Sequence, residues 1–126
     1  MSSIKEKIES CLLDGNMEEA RCLIDQYEKE IPDDIDLVSM KMSYYLLSDD
    51  LETAADLALV GVRRMPFSGD MYYNLAYIYE LMGRWLDAYL NYQKALFLYN
   101  YMNDEKSEEL DLEEKADQIL ENFVEE

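Results

Sequence analysis

The chain has 126 residues and a mass of 14.9 kDa, with 29 acidic and 11 basic residues and a net charge of −18. Apolar residues make up 49%, enough for a buried core, whereas four Gly and two Pro are too few for an all-β chain with many tight turns. The acidic balance excludes phosphate backbones and anionic membrane surfaces as partners, and the absence of histidine removes His-based triads, His general bases and His-liganded metals.

The first residues, Met1-Ser2-Ser3-Ile4-Lys5-Glu6-Lys7-Ile8, have no apolar run, so no secretory leader is expected. No stretch approaches the roughly 18 apolar residues of a membrane span. Ile4, Ile8, Cys11 and Leu12 follow i, i+4, i+7, i+8, which predicts one stripe of a helix. Gly15 marks a turn, and Asn16 with Glu19 reads as a capping box that opens a second helix. Ala20, Ile24 and Tyr27 carry that helix, and Pro32 stops it, because proline lacks an N–H and disfavours helix before it. Cys11 and Cys22 do not form a Cys-x-x-Cys pair and read as reduced thiols of a cytoplasmic protein.

The pattern then recurs. Val38, Met42, Tyr45 and Leu46 repeat the first stripe. Asp49 takes the place of Gly15, Asp50 that of Asn16, and Ala54, Ala58 and Gly61 form the second helix up to Pro66. A third round brings Tyr72, Ala76 and Tyr79, then Gly83, then Ala88, Tyr92 and Ala95. The step is 34 residues each time, which divides the chain into units 1–34, 35–68 and 69–102. Small residues at 20, 54 and 88 let paired helices approach near the lower end of the usual separation. Asp34-Ile35-Asp36 could be taken for a metal-holding acid pair, but its place between two helices predicts a cap and turn.

Residues 103–126 hold 11 acids and two lysines, half of the chain's charge excess. Leu112, Ala116, Ile119, Leu120 and Phe123 nevertheless form an amphipathic stripe. It predicts a capping helix whose acidic face stays in water. The sharper alternative is an acidic arm that docks a basic partner or covers the chain's own groove.

The 34-residue helix–turn–helix unit resembles the tetratricopeptide repeat. The third unit carries most of that family's pattern in Tyr72, Leu75-Ala76, Tyr79, Gly83, Ala88, Tyr92 and Ala95, with Asn100 where the family has proline. The first two units depart from it. Lys7 and Lys41 stand in place of Leu, and Ile8 and Met42 in place of Gly. The resemblance spans about 1–102. It implies an all-α right-handed superhelix of antiparallel helix pairs, closed by the helix of 103–126.

In the first helices, positions 2, 5 and 9 point away from the core stripe, since each residue turns about 100°. By the resemblance they line a concave surface. They are Ser2, Lys5 and Glu9, then Asp36, Ser39 and Ser43, then Asp70, Tyr73 and Tyr77. The family's clamp for an acidic C-terminal carboxylate is missing, because Glu9 and the later Ser and Tyr replace its Asn, Lys and Arg. Tyr73 and Tyr77 suit an interface, offering large area with a polar tip, though packing under a neighbouring helix is the plainer reading.

These residues predict a non-catalytic scaffold. Its groove would hold a peptide or helix of another protein, apolar or aromatic with basic flanks. No catalytic constellation, metal set or cofactor loop is visible among them. Three other readings fit the same residues. One is the N-terminal module of a larger bacterial enzyme such as a glycosyltransferase, with which an end at Glu125-Glu126 is compatible. The others are a small acidic secretion chaperone and a self-associating module.

Overall fold

The computed structural model describes residues 3–125, and the side chains of these except 107, 109 and 123–125. Eight helices and no strand occur among the described residues. They are α1 (Ile4–Asp14), α2 (Met17–Glu30), α3 (Ile35–Leu47), α4 (Leu51–Arg64), α5 (Gly69–Leu81), α6 (Trp85–Tyr101), α7 (Lys106–Glu109) and α8 (Leu112–Glu125). None is long and apolar enough to cross a membrane. The chain forms two compact units that divide between Gly61 and Val62, within α4.

Local chemistry sets the helix ends. Ser3, Asp34, Asp50 and Ser68 each accept a hydrogen bond from a backbone N–H two or three residues on, satisfying donors that have no partner inside the helix. Asn16 does not. Its side-chain amide donates instead to the Glu19 carboxylate at 3.0 Å, so the expected capping box is replaced by a contact between side chains. That corrects the sequence reading. An acidic residue three positions on is a better acceptor for an Asn N–H than a backbone donor is a partner for its oxygen. Gly15, Asp49 and Gly83 all take positive φ, at 75°, 64° and 75°, where each first helix turns into its second. Glycine adopts that conformation freely and Asp tolerates it. The helices α2 and α4 end at Glu30 and Arg64, two residues before Pro32 and Pro66.

The core of the first unit is built by α1, α2 and α3 from Ile8, Cys11, Leu12, Ala20, Ile24, Tyr27, Leu37 and Met40. On α4 the buried face consists of Ala54, Ala55, Ala58 and Gly61. In the second unit α6 lies against both α5 and α8. Tyr72, Leu75, Ala76, Ile78 and Tyr79 of α5, Ala88, Tyr92, Ala95, Leu98 and Tyr99 of α6, and Leu112, Ala116 and Ile119 of α8 are buried there. α8 is therefore a wall of this unit. Gly69 opens α5 beneath the Tyr99 ring. A Cβ there would lie 2.6 Å from a ring carbon, so only glycine lets the ring sit so close.

Candidate functional site

The residues expected to line a groove fall in both units, and the structure treats them differently. In the first unit, Ser2 lies outside the described residues. Lys5 is committed to the fold. Its ammonium bridges Asp34 at 2.8 Å and Asp36 at 2.7 Å and stands 5.6 Å from the centroid of the Tyr27 ring. The Tyr27 hydroxyl in turn donates to Asp34. Hydrogen bonds from Lys5, from Tyr27 and from the Asp36 N–H hold the Asp34 carboxyl well below the usual carboxylate range. The same pair of acids pushes the Lys5 ammonium upward. Lys5 and Asp36 thus fasten the turn between α2 and α3 to α1, and the acid pair 34/36 acts as a cap and anchor.

One turn further along α1, Glu9 shares a pocket with Ser43 of α3. With Leu12, Leu13 and Leu47 they line this pocket, of about 410 Å³. Leu12 is buried at its floor, whereas Leu13 and Leu47 are 87% and 58% exposed at its mouth. Ser39 is half-buried on the same helix as Ser43. The two leucines were absent from the expected lining, yet a signal for them exists. Leu13 and Leu47 lie four residues beyond Glu9 and Ser43, on the same face, and are themselves 34 residues apart.

In the second unit the equivalent residues are occupied by the chain itself. Asp70 accepts from the Tyr99 hydroxyl at 2.5 Å and from Lys106 of α7 at 2.9 Å. Burial would raise its pKa, but these two donors hold it below the ordinary value. Burial and Asp70 push the Tyr99 phenol upward. Tyr73 is half-buried, edge-on to Tyr92 with ring centroids 5.7 Å apart. Tyr77 reaches the surface, but Lys115 of α8 stands over its ring at 5.6 Å and over Tyr92 at 5.4 Å. Lys115 also pairs with Glu80 at 3.4 Å, and Glu80 accepts from the Tyr92 hydroxyl at 2.8 Å. Of the two readings of the tyrosines, packing describes Tyr73, while Tyr77 sits under a cation of its own chain.

In this unit a pocket of about 310 Å³ lies between Glu80 and the α8 residues Glu114, Lys115 and Gln118, and its lining is mainly polar. Cys11 is buried and Cys22 exposed, both as free thiols. No group of three or more acids or cysteines could hold a metal ion among the described residues.

Antiparallel helix pairs, with α2, α4 and α6 starting at Met17, Leu51 and Trp85, define an all-α helical-repeat fold of the tetratricopeptide-like kind. No family model matches the chain, and no curated protein matches it. Among solved structures, the chain resembles one described as "MamA AMB-1 P212121", with 16% sequence identity and a TM-score of 0.60. That match covers 92% of this chain and 70% of the other, and at this identity it is a likeness of fold alone.

Proposed function

We propose that the chain is a non-catalytic protein-interaction module. Its α1–α3 pocket takes an apolar side chain of a partner peptide or helix, with basic residues on either side. The observation that carries this reading is the pair Leu13 and Leu47, left bare around a pocket that Glu9 borders. Such side chains gain free energy when a partner covers them.

Charge supplies the flanks. The last turns of α1 and α3 contain no basic residue, so the negative ends of both helices are uncompensated beside the pocket. Asp14, Asp49 and Asp50 add to that field. A peptide offering Leu, Ile or Phe between Lys or Arg satisfies both demands. The two free thiols suit a reducing compartment, in keeping with a cytoplasmic role.

The test is selection of binders from a random displayed peptide library. The expected winners carry an apolar anchor flanked by Lys or Arg. Their affinity should fall about tenfold or more with Leu13→Asp/Leu47→Asp, worth about 1.4 kcal/mol. Enrichment of acidic peptides, or binding untouched by the double substitution, would count against the pocket.

A further inference from the structure

The outer face of α6 differs in kind from those of α2 and α4. Leu86, Leu90, Phe97 and Tyr101 fall at i, i+4, i+11 and i+15, which places them on one stripe. All four are exposed, Phe97 by 65% and Tyr101 by 74%. The rings of Phe97 and Tyr101 stack with centroids 6.2 Å apart, and exposed Met102 continues the patch past the helix end. The repeat provides an internal control. Thirty-four residues earlier the same positions hold Glu52, Asp56, Arg63 and Phe67, and a further 34 earlier Glu18, Cys22, Lys29 and Asp33. A face that is mostly charged twice is apolar the third time. An exposed apolar stripe of this kind, broken only by Gln93 and Lys94, marks an interaction site.

We infer that this face is the contact surface for a second copy of the chain. Charge decides the occupant. Residues 85–102 contain one acid, Asp87, and one base, Lys94, in a chain of net −18. The acid is bridged to Arg84 at 2.7 Å, and the base leans over the Tyr72 ring at 4.8 Å, away from the stripe. A basic partner gains more on the acidic faces elsewhere. Two copies repel wherever acidic faces meet, and this stripe lets them touch without opposing like charges.

The stripe is also self-complementary. Leu86 and Tyr101 lie equally far from the midpoint between Gln93 and Lys94, and so do Leu90 and Phe97. Two antiparallel α6 helices centred there set leucine against aromatic ring at all four crossings, as a two-fold contact requires. Gln93 and Lys94 then flank the axis, and the Gln93 amide oxygen of each copy can accept from Lys94 of the other. The stripe is about 24 Å long at 1.5 Å per residue. At a width of about 10 Å it covers roughly 240 Å², small beside the roughly 800 Å² per partner of a stable complex, so the expected dissociation constant is on the order of 10–100 μM.

The experiment is sedimentation equilibrium of the full chain from low micromolar to near-millimolar concentration, at low and high salt. The mass is expected to rise toward twice that of the chain. The association should strengthen with salt, which screens the mutual repulsion and leaves the apolar contact. Leu90→Asp/Phe97→Glu should stay monomeric with unchanged helicity. Should that pair of acids disturb α6, the uncharged Phe97→Ser/Tyr101→Ser should weaken association about tenfold or more. A wild type that is monomeric throughout overturns the inference. So does association that weakens with salt, or dimers that survive the substitutions. Peptide capture at the α1–α3 pocket does not depend on either outcome.

Discussion

The face of α1 and α3 and the corresponding face of α5 occupy the same positions in successive helix pairs, yet they meet different fates. On α1 and α3 Lys5 and Asp36 are held by the fold, but Glu9 and Ser43 border an apolar pocket with two bare leucines. On α5 the same positions are Asp70, Tyr73 and Tyr77, and α6, α7 and α8 supply a hydroxyl, a ring and two ammonium groups to them. Periodicity tells which way a side chain points. What comes to lie over it depends on a segment of chain some 30 to 40 residues away.

The contrast is sharpest if α8 is as necessary to its unit as its burial implies. Ile119 is fully buried, so Ile119→Ala should cost about 3 kcal/mol in chemical denaturation through lost burial and the cavity left behind. Leu47→Ala removes a similar side chain from the open face and should stay within about 0.5 kcal/mol. Equal losses at the two sites would erase the distinction between a covered and an uncovered face.

A middle-sized effect is expected at Gly69. Alanine normally favours a helix over glycine by about 1 kcal/mol. Here the added methyl meets the Tyr99 ring, which is buried and bonded to Asp70. Gly69→Ala should therefore lower the melting midpoint, by the equivalent of about 1–2 kcal/mol. A raised midpoint would mean that Tyr99 gives way easily and that Asp70 is not firmly held.

The smallest effect in energy bears most directly on the comparison. Lys115→Ala removes the side chain over Tyr77 and Tyr92 and should cost about 1 kcal/mol or less. Tyr77 should then react faster with a phenol-nitrating reagent, as its cover is gone. An unchanged rate would show that Lys115 does not shield the ring.

Much of the fold is legible because its determinants are local or repeated. The turns at 15, 49 and 83, the stops before Pro32 and Pro66, and the buried Ala20, Ala54 and Ala88 each rest on a single residue type at one spacing. The outward stripe is legible in direction only. Leu13 and Leu47 continue it by one more turn and are missed if it is followed only as far as Glu9 and Ser43. The commitment of Lys5 to Asp34 and Asp36 arises from tertiary proximity across about 30 residues, which no periodicity encodes. At Asn16 the Glu19 carboxylate displaces the backbone donor as partner, and spacing alone does not choose between the two.

Among the described residues, three carboxylates are gripped by phenols. Tyr27 donates to Asp34, Tyr92 to Glu80 and Tyr99 to Asp70. With 11 bases against 29 acids, cationic partners are scarce, and tyrosine supplies protons without adding charge. Each phenol is held above its ordinary value, Tyr27 chiefly by its bond to Asp34, and Tyr92 and Tyr99 chiefly by burial. A raised pKa in the folded state means that the contribution is complete below about pH 10 and drains away above it. The alkaline limit of this protein is therefore written in its tyrosines. Ionisation of these three should therefore coincide with unfolding rather than precede it.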